Sequence, residues 1–159
     1  TRMPAAMHGW YLRELYLADK LARGALTLAG RRLDLGRVRQ PLYAVGCEQD
    51  HIAPWKQTFR TCGLVGGPAR YVLATSGHIL GIINPPVDPP KRRYWVGDAS
   101  GASDGPAWLA GIAKVPGSWW EDWIPWLAER CGELRAPPPL GTDALPALAP
   151  APGTYVRQK

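Results

Sequence analysis

Two short apolar runs, Leu42 to Val45 and Tyr71 to Ala74, stand out because each passes straight into a polar loop. Both read as strands. Between them the pattern turns helical after Pro54, a residue suited to a first helical turn, and stops at Gly66-Gly67. Strand, helix and strand in so short a span predict a βαβ unit, and such crossovers are right-handed with parallel strands. The loops that leave the two strands then lie at one carboxyl edge, where open α/β sheets build their sites.

Around this unit the pattern predicts further elements. Residues 1–8 read as a loop because of Pro4. From Gly9 to Gly24 the apolar positions Trp10, Leu12, Leu15, Tyr16 and Leu17 predict an amphipathic helix facing a core. The stretch 25–35 alternates on both sides of Ala29-Gly30 and predicts a small hairpin. Pro85, Pro86, Pro89 and Pro90 predict a long surface path over residues 84–118, with room for a short helix near residues 106–113. Ser118-Trp119-Trp120-Glu121 has the form of a capping box. It opens a helix carrying Trp119, Trp120, Trp123, Ile124, Trp126 and Leu127, which ends at Gly132. The plain reading of so much indole is the apolar face of a helix laid on a sheet, and the alternative is a surface that meets a polymer or granule. Residues 135–152 are rich in proline and alanine and read as an extended tail, with Tyr155 and Val156 as groups that could pin its end.

Composition narrows the class. The 159 residues suit one domain, and the formal charge of +6 is scattered apart from Arg31-Arg32 and Lys91-Arg92-Arg93. Without a basic stripe interleaved with aromatic residues, nucleic acid is not an expected partner, whereas a mildly positive surface suits anionic ligands such as phosphorylated thioesters. Three cysteines with no close-spaced pair, Cys47, Cys62 and Cys131, point to a reducing, cytosolic setting. No signal peptide, transmembrane run or lipidation motif is visible, although Thr1 is not an initiator.

The candidate chemistry sits in the two loops. Asp50 follows the first strand and His78 the second, 28 residues later, which is the length that one loop, helix and strand consume. A carboxylate on one imidazole nitrogen fixes the tautomer and leaves the other nitrogen free as a base. Acid then histidine is also the second half of a nucleophile, acid, histidine order. The first half is missing: residues 1–40 contain neither Ser nor Cys, every serine follows Asp50, and no G-x-S-x-G or G-x-C-x-G elbow occurs. Either the triad is wrong, or the chain is the carboxyl-terminal piece of something longer.

Plainer roles compete with these. Asp50 could simply cap the helix after Pro54, and His78 could be a surface-loop histidine. His51 adjoins Asp50 but precedes the second strand, so it reads as a supporting group behind the pair. Cys47, Asp50 and His51 make a poor metal set, with no second ligand pair. Cys47 itself reads as a buried small residue, because no elbow exposes it.

The segments TRMPAAMH, VGCEQDHIAPW, ATSGHILGIINPP, GSWWEDWIPWL and APGTYV together resemble the carboxyl-terminal part of class I polyhydroxyalkanoate synthases, the poly(3-hydroxybutyrate) polymerases. The resemblance runs from Thr1 to about Val156. It implies an α/β fold, the carboxyl-terminal part of an α/β-hydrolase, with residues 1–38 as the end of a cap region, 39–134 as the second half of the catalytic core and 135–159 as a tail. It further implies a cysteine nucleophile upstream that attacks (R)-3-hydroxyacyl-CoA, releases CoA and carries the growing polyester. Asp50 and His78 match the family's catalytic acid and histidine, so His78 would deprotonate the thiol while Asp50 orients it or helps activate the 3-hydroxyl of the incoming unit. No cofactor or metal is implied. The resemblance suggests a homodimer of the full-length protein, located in the cytoplasm on the granule surface. Other readings are a serine hydrolase or polyester depolymerase of the same fold, and a non-catalytic granule- or partner-binding fragment. Any of these leaves a parallel sheet edge open, which predicts aggregation unless a partner covers it.

Overall fold

The structure, a computed structural model, describes residues 2–158. It divides into one unit running to Leu127 and another from Ala128 onward. The first is built on a four-stranded sheet in the order β3-β4-β5-β6: Leu42–Cys47, Ala69–Ala74, Arg93–Asp98 and Lys114–Pro116. As the pattern predicted, β3 and β4 are parallel, in a register that pairs Val45 with Val72 and Cys47 with Ala74.

Strand β4 is the centre of the core, and its alternation divides the side chains between two layers. Tyr71 and Leu73 face a cluster with Phe59, Cys62, Ala69, Trp95 and Ala99, closed over by Trp55, Trp108 and Ile112. Val72 and Ala74 face the other way, against Tyr94 and Trp119 with Tyr43, Val115, Trp120 and Trp123 around them. The four residues Tyr71 to Ala74 are fully buried, and each large one contributes on the order of 1.5–3 kcal/mol by leaving water.

The predicted crossover helix is two short ones, α2 (Trp55–Phe59) and α3 (Thr61–Leu64). Thr58 turns its hydroxyl back onto the carbonyl of Trp55 at 3.0 Å, a local bond that competes with the helical ladder. On the same face lies α4 (Gly105–Ala110), capped by Asp104, whose carboxylate accepts from the amide of Ala107 at 3.0 Å. On the opposite face α5 (Trp120–Cys131) lays its indoles on the sheet, the plain reading of the tryptophan helix. Its start carries half of the expected box: the carboxylate of Glu121 accepts from the amide of Ser118, while the Ser118 hydroxyl accepts from the amide of Trp120, one position earlier than the box predicts. A half-buried ion pair fixes the helix to β4, since Arg70 binds both carboxylate oxygens of Asp122, and the hydroxyl of Tyr43 donates to the same group at 2.8 Å.

Three expectations are corrected. Residues 84–118 hold, beside the short helix that the pattern allowed, two strands that it did not, β5 antiparallel to β4 and β6 antiparallel to β5. The sheet is therefore mixed: the prolines flank β5 without entering it, and Tyr94-Trp95-Val96 supply the aromatic and β-branched residues that favour strand. The first helix opens at Ala5, directly after Pro4, and the chain widens into a π-helical run at Leu12–Leu17. Its apolar face is largely exposed, with Leu12, Tyr16 and Leu17 open to solvent, because no described element packs over it. Tyr155 and Val156 pin nothing and are exposed as well.

The hairpin forms as predicted, β1 (Thr27–Leu28) against β2 (Arg31–Arg32), with Ala29 and Gly30 both at positive φ. From Ala128 onward the second unit holds the end of α5, an isolated bridge between Gly141 and Pro146, and a short 3-10 turn at Tyr155–Arg157. Leu134, Leu140, Leu145 and Leu148 are all exposed there.

Candidate functional site

At the carboxyl ends of β3 and β4 the chain makes two interlocked turns. The amide of Glu48 donates to Ala74 O at 2.8 Å and that of Gln49 to Ser76 O at 3.0 Å, so the sheet pairing continues into the loops. Ser76 sits at φ +89°, a conformation costly for a residue with a β-carbon, and strain of this kind gathers at working sites. The helix α2 that follows the turn after β3 is tied to β4 by Tyr71, whose buried hydroxyl donates to the Thr58 hydroxyl at 2.8 Å. Burial keeps that phenol protonated, its pKa pushed up to about 12.

Asp50 and His78 meet. The imidazole Nδ1 donates to Asp50 Oδ2 at 2.8 Å, and Oδ1 of the same carboxylate accepts from the amides of Ile52 and Ala53, both at 2.9 Å. Asp50 does not cap the helix after Pro54, which has no side-chain cap; one of its oxygens closes its own turn and the other orients the histidine. The Ala53 amide is the largest influence holding this carboxyl down at about 2, with the His78 and Ile52 bonds adding to it against partial desolvation. It is a fixed anion at any physiological pH.

His78 is exposed, its side chain 46% accessible. With Nδ1 given to Asp50, the lone pair lies on Nε2, and no described residue hydrogen-bonds that atom. The pair is thus an oriented base open to whatever approaches from outside. His51 is exposed and is not among the partners of Asp50.

Cys47 is 1% exposed at the end of β3, and burial first, then the charge of Asp50, push its thiol up. Cys62 is raised by burial to about 11. Neither is a thiolate in waiting. Cys131 is exposed and lies in the second unit. No group of three or more metal-ligating side chains occurs among the described residues, and no described helix is long and apolar enough to cross a membrane.

Pattern reading missed what holds the His78 turn from behind. The Trp119 indole N–H donates to Gly81 O at 2.9 Å, the Trp120 indole N–H to Ile82 O at 3.1 Å, and the Ser118 hydroxyl to Asn84 O. The signal available in the sequence was that buried tryptophans need an acceptor for their N–H.

No family model matches the chain. Among curated proteins it is similar to a poly(3-hydroxyalkanoate) polymerase of Methylorubrum extorquens, 47% identical over the whole of this chain and 26% of that protein. A poly(3-hydroxyalkanoate) polymerase subunit PhaC of Rhizobium meliloti is 43% identical over 99% of this chain and 25% of its own length. The corresponding subunit of Cupriavidus necator is 42% identical over 100% and 27%. The chain thus spans about a quarter of the length of the curated relatives it matches, in their carboxyl-terminal part. Such identity over essentially every residue, with the sheet and paired turns just described, makes this chain a carboxyl-terminal part of the poly(3-hydroxyalkanoate) polymerase family, on an α/β-hydrolase fold.

Proposed function

We propose that this chain supplies the acid and base of a polyester-forming acyltransferase, acting on (R)-3-hydroxyacyl-CoA together with a cysteine from sequence outside it. The observation that carries this reading is the 2.8 Å bond from His78 Nδ1 to Asp50 Oδ2, with Nε2 left open. In the reaction, Nε2 takes the thiol proton as sulfur attacks the thioester carbonyl. The acyl group passes to sulfur, and the protonated imidazole returns a proton to the departing CoA thiolate. The next unit's 3-hydroxyl then attacks the acyl-enzyme with the same nitrogen as its base; the ester forms as the acyl–sulfur bond breaks, and the imidazolium returns the proton to the departing cysteine thiolate. Asp50 stays ionised throughout and balances the imidazolium.

In this reading His51 stands behind the pair and residues 1–38 are the end of a cap. The whole protein works as a homodimer on a granule in the cytoplasm, and this chain alone does not turn over. A serine in place of the cysteine would make the same pair a hydrolase. A granule-binding role for the tryptophan helix is disfavoured by Trp119, which is only 7% exposed.

The test is CoA release from 3-hydroxybutyryl-CoA by a full-length protein that contains this chain. His78→Ala is expected to abolish it, and near-normal turnover would refute the role given to His78. A serine at the upstream nucleophile would replace this reading with the hydrolase.

A further inference from the structure

The His78 turn has little of its own to keep it in place. The segment from Gly77 to Ile83 is one irregular turn, closed by the amide of Gly81 on Gly77 O at 2.9 Å and those of Ile82 and Ile83 on Ile79 O. Ile79, Leu80, Ile82 and Ile83 are all exposed, so side-chain packing does not fix it. Gly81 rests on Cys47 at the end of β3, and the start of α5 supplies the other hold: Trp119 and Trp120 donate to the Gly81 and Ile82 carbonyls, and Ser118 donates to Asn84 O just beyond the segment.

Those donors are themselves anchored. Trp119 is packed among Tyr43, Trp120 and Trp123, with ring centroids 6.0–6.3 Å apart. Asp122, on the next turn of the same helix, is tied to Arg70 of β4 and Tyr43 of β3. The carbonyls of Gly81 and Ile82 are therefore fixed to the two strands whose loops carry Asp50 and His78.

We infer that Trp119 and Trp120 are positioning residues for His78, their indole N–H groups holding the Gly81 and Ile82 carbonyls so that the imidazole keeps its bond to Asp50. The inference rests on the reading of His78 as the general base, and it adds that the base is aimed by a helix whose indoles lie 38 residues downstream of the carbonyls they hold. The chemistry favours tryptophan because one side chain combines a large buried surface with a single directed donor. Phenylalanine at either position keeps most of the packing and removes only the donor.

The experiment uses a full-length polymerase containing this chain, with Trp119→Phe, Trp120→Phe and, as control, Trp108→Phe. The control removes an indole bond of the same kind, to Asp98 O at 2.8 Å on the other face of the sheet. Hydrogen exchange read by mass spectrometry should quicken over residues 76–86 in the first two variants and stay unchanged there in the control. In CoA release, Trp119→Phe should lower kcat by roughly tenfold with little change in KM, the scale expected for misplaced catalytic groups. In an Asp50→Asn background the same substitution should cost much less, because the bond it protects is already lost.

Equal losses in both backgrounds, or unchanged exchange over residues 76–86, would overturn the inference. If Trp119→Phe does not fold, Trp120→Phe, whose ring is half-buried, carries the same comparison. His78→Ala with full turnover would sink the assignment of the base instead. The exchange result does not depend on turnover, so the two failures are distinguishable.

Discussion

Gly81 lies so close to Cys47 that a β-carbon on it would overlap the cysteine sulfur and come within 3.0 Å of both Cys47 Cβ and Gly77 O. The turn that carries His78 is thereby seated on the end of the strand that leads to Asp50. Gly81→Ala should destabilise the fold by about 1–3 kcal/mol through overpacking and should lower turnover in a full-length enzyme. Denaturant unfolding measures the first effect. Cys47→Ala removes the sulfur and should recover part of the loss, while no recovery would place the clash elsewhere.

Asp50 provides a pH prediction whose sign follows from its depressed pKa. A carboxyl held at about 2 in the folded chain, against about 3.9 unfolded, adds stability that is fully present above the unfolded value. That stability is lost as pH falls through the folded one. Thermal unfolding of the parent and Asp50→Asn should differ by a constant amount above about pH 5, and the gap should close toward pH 2. At neutral pH the same variant should lose turnover by on the order of 10²–10⁴, because the imidazole is no longer held in its working tautomer.

The Arg70 and Asp122 pair ties α5 to the sheet. Burial pushes the Asp122 carboxyl up, but the bonds from Arg70 and Tyr43 prevail and hold it below the usual carboxylate range. Asp122→Asn leaves Arg70 with a neutral partner at a half-buried site and should cost about 1–2 kcal/mol, seen as a drop in Tm of roughly 3–8 °C. An unchanged Tm would mean that the indoles alone seat the helix.

Cysteine accessibility gives a direct check. Cys131 is exposed while Cys47 and Cys62 are buried with raised pKa values. Brief alkylation of the folded chain with iodoacetamide, read by peptide mass spectrometry, should label Cys131 and spare the other two. Denaturant should open all three.

The βαβ unit and the Asp50 and His78 pair were legible because both rest on local pattern. Two apolar runs bounded by breakers fix the strands, and parallel pairing then brings their loops together. Strand β5 was hidden because Pro85, Pro86, Pro89, Pro90 and the run Lys91-Arg92-Arg93 precede a short apolar core of Tyr94, Trp95 and Val96. Its pairing depends on β4, not on its own periodicity. The first helix was misjudged because Leu12, Tyr16 and Leu17 give the right period, whereas burial also needs a facing surface. The tryptophan contacts to Gly81 and Ile82 were invisible for another reason: the acceptors are backbone carbonyls, which carry no residue identity.

The sheet has two unlike borders. Strand β6 is three residues long, with Lys114 at one end and Pro116 at the other, both features that discourage pairing. Strand β3 is six residues of uncharged sequence with no strand on its outer side among the described residues. Of the two borders, the one whose chemistry accepts a further strand is therefore β3, the strand whose loop carries Asp50.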